Sequence, residues 1–181
     1  MNLETLLAEL PDYAKDLRLN LSSVLRQTEL TEQQAWGTAV ATAAASRNAE
    51  LSAAILEEAA AHLSPEALRA AKAAAAIMGM NNIYYRFLHV VDNEKYRTIP
   101  ARLRMQVIRS HGGDPVDFEL WCLAVSAINN CQACLGSHER VLREKGVSEE
   151  TILASVRIAA VIHGLAAALD LERVPNPAIA V

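Results

Sequence analysis

The chain has 181 residues, 52% of them hydrophobic, with seven glycines, six prolines and a formal net charge of −4. That composition can bury a sizeable core and excludes a disordered chain, and the lack of a basic cluster argues against nucleic acid as a main partner. The start, Met1-Asn2-Leu3-Glu4-Thr5, has no basic segment followed by a long apolar one, and the apolar runs are interrupted by charges. Neither a signal peptide nor a transmembrane span is therefore expected, and the cytoplasm is the default compartment.

Almost the whole chain reads as helix, an all-α protein, because alanine, leucine and glutamate dominate and β-branched runs are few. Residues 3–10 predict a short amphipathic helix stopped at Pro11, and a second runs from Asp12 towards Leu25. Thr31-Glu32-Gln33-Gln34 has the form of a capping box and opens a helix to about Ser46. Residues 50–62 predict a further helix. Ser64-Pro65-Glu66-Ala67 is another start signal, with proline at the first helical position. The alanines that follow suit close helix packing, and residues 80–87 read as a separate short helix. Residues 92–100 are polar and aperiodic, the best candidate for a linker, and 101–110 predict a short helix ended by Gly112-Gly113. Asp114-Pro115 restarts a helix carrying Phe118, Glu119 and Trp121. The next helix carries two cysteines and runs to Lys145-Gly146; the last begins at Ser148-Glu149-Glu150-Thr151 and ends before Pro175, with a frayed tail to Val181.

Two related helical halves, 1–91 and 101–175, are suggested by a repeat. At an offset of 85, Trp36 meets Trp121, Ala39 meets Ala124 and Val40 meets Val125; at 84, Ser64 meets Ser148 and Glu66 meets Glu150. In the first half Gln34, Ser46 and Ala49 stand where the second has Glu119, Cys131 and Cys134, so the N-terminal half is an inert copy within a single domain.

Chemistry concentrates in Asn129-Asn130-Cys131-Gln132-Ala133-Cys134-Leu135-Gly136-Ser137-His138. On a helix at about 100° per residue, Cys131, Cys134 and His138 share one face, with Cys134 and His138 as i,i+4 neighbours. An imidazole beside a thiol can take its proton and stabilise the reactive thiolate, and a helix start lowers a thiol pKa further. Leu135 and Leu142 on the same face place the pair at the edge of a core, in a cleft. In a reducing compartment such a pair reads as redox chemistry, against two buried thiols or half of a zinc site; a structural zinc site needs four ligands, and Cys122 lies in an apolar run where a core role is expected. Glu119, flanked by apolar Phe118, Leu120 and Trp121, is a candidate proton relay, against the plainer reading of a solvated glutamate near a helix start. His163 reads as structural, and His62, His89 and His111 near helix ends read as surface residues.

Glu119, eleven residues, Cys131, two residues, Cys134, three residues, His138 resembles the active-site signature of the alkyl hydroperoxide reductase D family, within the carboxymuconolactone decarboxylase-like superfamily. The resemblance extends through residues 10–16, 19–23, 75–82, 118–121 and 124–129. It implies an all-helical subunit of two related halves in a homotrimer, acting as a thiol-disulfide antioxidant protein with weak peroxidase activity. Its partner would be the peroxiredoxin component of alkyl hydroperoxide reductase, whose disulfide it reduces. Electrons would come from a dihydrolipoyl group on an acyltransferase, fed by lipoamide dehydrogenase, with no metal or tightly bound cofactor. By motif position, Cys134 is the peroxide-reacting and partner-linking thiol, Cys131 its disulfide partner and proton donor, and Glu119 and His138 the relay. Better-known members carry histidine where this chain has Ala133, which leaves more of the relay to His138 and Glu119. The rival readings are a carboxymuconolactone decarboxylase-type reaction, which needs no thiol pair, and a non-enzymatic helical module with a structural metal.

Overall fold

The structure, a computed structural model, describes residues 2–175. Among them are ten α-helices and no strand: α1 Leu3–Ala8, α2 Lys15–Leu25, α3 Glu32–Ser46, α4 Ala49–Ala59, α5 Pro65–Val90, α6 Lys95–Thr98, α7 Val107–Ser110, α8 Pro115–Ile128, α9 Gln132–Glu144 and α10 Glu149–Arg173. The expected all-α class is what the chain adopts. The tail beyond residue 175, expected to fray, lies outside the described residues.

Local chemistry sets most of the boundaries. Thr31 accepts from the Gln34 amide while the Gln34 side chain accepts from the Thr31 amide, so two orphan N–H groups at the start of α3 are satisfied at once. Asn48, Ser64, Asp114 and Ser148 cap α4, α5, α8 and α10 through their side chains, with proline opening α5 and α8. Three expectations need correction. Residues 80–87 are not a separate helix but the continuation of the 26-residue α5. Gly79 alone does not interrupt it, since one glycine costs only about 1 kcal/mol in a helix. Residues 101–106 are not helical; Arg102 adopts φ 52°, and only the single turn α7 winds beyond them. The supposed linker holds the single turn α6. Neither short turn has a fully buried residue, and segments this short have no helical stability without packing.

The core forms around α3 and α8, which pack on each other and each on both α5 and α10. The long apolar α10 is sufficient in length and composition to cross a membrane; in this fold it packs in the core, with eleven buried residues. Buried hydroxyls on α3 are satisfied internally, Thr38, Thr42 and Ser46 each donating to the carbonyl four residues earlier. Where α3 crosses α8, Gly37 lies under the fully buried Trp121 indole. A Cβ at Gly37 would sit 2.2 Å from Trp121 Cε2 and Cζ2, so the crossing requires glycine. Trp121 Nε1 donates to the Gln34 carbonyl at 3.2 Å, and the buried Asp117 carboxylate accepts from the side-chain amides of Gln33 and Gln34. These contacts fix α8, and with it Glu119.

Candidate functional site

Cys131 and Cys134 are disulfide-bonded, with Cα atoms 5.3 Å apart. Cys131 is not in the body of a helix, as a shared helical face would require. It is the N-cap of α9, with extended backbone, and its sulfur accepts from the Cys134 amide at 3.3 Å. A regular turn would hold the two sulfurs in their helical positions, whereas an extended residue at the cap turns Cys131 back over the first turn. The pair thus occupies the helix start, where amides point outward and the dipole favours a thiolate.

The loop that delivers Cys131 is held by α5. Asn82, fully buried, donates to Ser126 Oγ at 2.9 Å and accepts from Asn129 Nδ2 at 3.0 Å; Ser126 Oγ in turn donates to the Cys122 carbonyl. Arg86 donates to the Asn129 carbonyl at 2.8 Å. Asn130 takes the left-handed conformation, φ 52°, that short polar residues tolerate, and the Cys131 amide donates to the Ser126 carbonyl. Reading the sequence for chemistry missed Asn82, Ser126 and Arg86 as supports. The available signal was two consecutive asparagines on an otherwise small and apolar helix face.

Glu119 and His138 meet across the α8–α9 contact, Oε2 to Nδ1 at 2.6 Å, with both side chains largely buried. Glu119 is therefore not a solvated glutamate near a helix start. The carboxylate fixes the imidazole by Nδ1, which leaves Nε2 for a thiol or substrate. Both line a cavity of about 300 Å³ together with Cys134, Ala133, Asn81 and Met78 among others. Cys131 is fully buried and is not among the residues lining this cavity; Cys134, 6% exposed, is. The cleft at a core edge expected from Leu135 and Leu142 is thus present, with Leu142 buried and Leu135 packed against the core.

The other candidates lie elsewhere. Cys122 is a buried free thiol; burial and then the charge of Glu119 push its pKa well up, so it is held as an unreactive core residue. His163 Nδ1 lies 3.4 Å from Ser46 Oγ. His62 and His111 are not plain surface residues. His62 stacks on Trp36 with ring centroids 4.3 Å apart and pairs with Glu32, and His111 stacks on Phe118 at 4.0 Å. Desolvation lowers the His111 pKa. A larger groove of about 950 Å³ runs past the Trp36–His62 stack, and no cysteine lines it. Among the described residues no group of three His, Cys, Asp or Glu side chains is placed to hold a metal ion.

A sequence model of the Carboxymuconolactone decarboxylase family matches residues 95–176, the part that holds the thiol pair and its Glu–His neighbours. Relatives match along nearly the whole length. The chain is 67% identical over 175 residues to the alkyl hydroperoxide reductase AhpD of Solibacter usitatus, an alignment covering 97% of this chain and 99% of that one. It is 60% identical to the AhpD of Acidobacterium capsulatum, covering 98% and 97%, and 61% identical to that of Koribacter versatilis, covering 95% and 89%. Identity at this level over this extent leaves one family assignment: the chain belongs to the alkyl hydroperoxide reductase AhpD family, within the carboxymuconolactone decarboxylase-like superfamily.

Proposed function

We propose that this AhpD-family oxidoreductase cycles the Cys131–Cys134 pair between dithiol and disulfide, taking electrons from dihydrolipoyl groups. It passes them to the disulfide of a partner peroxiredoxin and, more slowly, to alkyl hydroperoxides directly. The observation that carries the reading is the disulfide-bonded pair at a helix start, with Cys134 opening on the cavity that Glu119 and His138 line. In this reading Cys134 is the thiol that meets the partner or the peroxide, since it lines the cavity, and Cys131 resolves the mixed species. Exchange runs through a mixed disulfide. The Cys134 thiolate attacks one sulfur of the partner's disulfide, whose other sulfur leaves and is protonated. The Cys131 thiolate then attacks the Cys134 sulfur, so that the Cys134–partner bond breaks, the partner's remaining sulfur leaves and is protonated, and the Cys131–Cys134 bond closes. The fixed Glu119–His138 pair moves the proton that each thiol gives up. A dihydrolipoyl dithiol reverses the exchange, and no tightly bound cofactor is required.

A slender lipoyl arm suits a cleft of about 300 Å³ better than the face of a folded protein, which favours it over thioredoxin as donor. The remaining parts of the proposal are a homotrimer in the cytoplasm and a division of labour in which residues 1–91 supply packing and 101–175 the chemistry. The exposed Ile83, Phe87, Val90, Tyr96 and Ile99 of α5 and the α6 region suit burial between subunits. The test is a coupled assay in which oxidised protein is offered a lipoylated acyltransferase domain with lipoamide dehydrogenase and NADH, or thioredoxin with its reductase, at equal concentration. Faster reduction by the lipoylated domain is expected, and faster reduction by thioredoxin overturns the donor. Alkylation of both cysteines should abolish activity; survival would return the site to a decarboxylase-type reaction.

A further inference from the structure

We infer that Asn81 is a substrate-binding residue of the peroxide step, its carboxamide hydrogen-bonding the hydroperoxide and holding the O–O bond against Cys134. The inference rests on the proposed peroxidase reading of the site. Asn81 and Asn82 are adjacent on α5 and both are buried, yet they are used differently. Asn82 is engaged by Ser126 and Asn129. Asn81, 4% exposed, lines the cavity with Cys134, Glu119 and His138, and its Oδ1 is shielded from solvent with no hydrogen-bond partner among the described residues. A buried amide oxygen without a partner is destabilising, and native chains rarely keep one unless it has a role or an ordered water, ion or ligand satisfies it. Much of the surrounding wall, Met78, Met105, Ile108 and Val141, has no donor to offer.

A hydroperoxide R–O–O–H fits this amide at both ends. Its distal oxygen carries one donor hydrogen and its proximal oxygen is an acceptor, while the carboxamide has an acceptor oxygen and two donor hydrogens. Held so, the distal oxygen is attacked by the Cys134 thiolate. The S–O bond forms as the O–O bond breaks, the sulfur is oxidised by two electrons to the sulfenic acid, and the peroxide is reduced. The distal oxygen keeps its hydrogen. The proximal oxygen leaves with the electron pair, its growing charge stabilised by the Asn81 N–H, and takes a proton from the Glu119–His138 pair to become the alcohol. Cys131 then displaces the sulfenic oxygen as water and closes the disulfide. A dithiol reducing that disulfide brings only weak S–H donors to the cavity, so Asn81 acts on the peroxide step and not on recharging.

The test uses the full-length protein, reduced with dithiothreitol and freed of it. Oxidation of Cys134 by tert-butyl hydroperoxide is timed beside alkylation of the same thiol by N-ethylmaleimide, in wild type and in Asn81→Leu. Asn81→Leu is expected to oxidise about tenfold to a hundredfold more slowly, the range for losing a hydrogen bond to developing charge. Its alkylation, and the rate at which dithiothreitol reduces its disulfide, should stay within about twofold of wild type, because neither reaction uses the contact. Oxidation at the wild-type rate overturns the inference, as does a matching slowdown of oxidation and alkylation, which would mark a general effect on the thiol. Where the leucine variant does not fold, Asn81→Ala removes the amide without added bulk and is held to the same comparison. A wild-type protein whose Cys134 is not oxidised by the peroxide at all overturns the peroxidase reading and the inference with it, and is distinguished by being seen before any variant is made.

Discussion

Gly37→Ala tests the packing that sets Glu119 in place. The added Cβ would lie 2.2 Å from two ring carbons of Trp121 and 2.5 Å from its Nε1. Carbon atoms rest at about 3.5–4.0 Å, so the indole has to retreat by more than about 1 Å. Trp121 is fully buried, so the ring can move only against its core neighbours. Overpacking of this kind costs about 1–3 kcal/mol. Displacing the ring also strains the Nε1 bond to the Gln34 carbonyl, and a buried donor left unpaired costs about 1–3 kcal/mol more. Against this, alanine gains about 1 kcal/mol over glycine in a helix interior. The balance is about 1–5 kcal/mol of destabilisation, or a Tm lower by roughly 2–20 °C for a chain of this size. Thermal unfolding followed by circular dichroism reads it. The double variant Gly37→Ala/Trp121→Leu, which removes the clashing ring atoms, should show a coupling of opposite sign, costing less than the two single changes added together. A Tm for Gly37→Ala at or above wild type would refute the close approach of α3 to α8.

Glu119→Gln and His138→Gln should each fold and each slow turnover, on the order of a hundredfold or more for loss of a general acid-base group; unchanged turnover in either folded variant removes that residue from the relay. Cys122, its thiol pKa raised by burial and by Glu119, should escape alkylation in the native protein at pH 8, while reduced Cys134 reacts; early modification of Cys122 would contradict its burial. His111 has a folded pKa lowered by desolvation, so the unfolded chain binds its proton more readily and stability is lost as pH falls through its unfolded value of about 6.5. Wild-type Tm should therefore fall more between pH 7.5 and 5 than that of His111→Phe, and an equal or smaller fall would remove His111 as a contributor.

Helix starts were legible wherever the signal is local. Thr31 with Gln34, Ser64 with Pro65, Asp114 with Pro115, and Ser148 each mark a boundary by chemistry confined to one turn. Interruptions were less so, because they depend on what the segment packs against. Residues 80–87 continue α5 since its buried face runs on through Met78, Asn81 and Asn82, and 101–106 fail to wind since little apolar surface is gained there. The thiol pair and its histidine stood out by spacing, but the placement of Cys131 at the cap did not, because periodicity assumes that the helix has already begun. The Glu119–His138 pair spans two helices, and sequence alone favours a solvated Glu119 near a helix start over a partnered one. The stacking of His62 on Trp36 and of His111 on Phe118 is likewise a product of tertiary contact. For the same reason the distinct uses of Asn81 and Asn82 emerge only when α8 and α9 are laid against α5.

The most direct test of the redox account is one cycle followed by mass mapping. Oxidised protein is reduced with dihydrolipoamide, freed of it, treated with one equivalent of tert-butyl hydroperoxide and digested without reductant. The account predicts that dihydrolipoamide opens the Cys131–Cys134 bond, that the peroxide restores it with release of the alcohol, and that Cys122 stays a free thiol throughout. A pair that dihydrolipoamide leaves closed, or a peroxide product in which Cys122 carries the main disulfide, would contradict it.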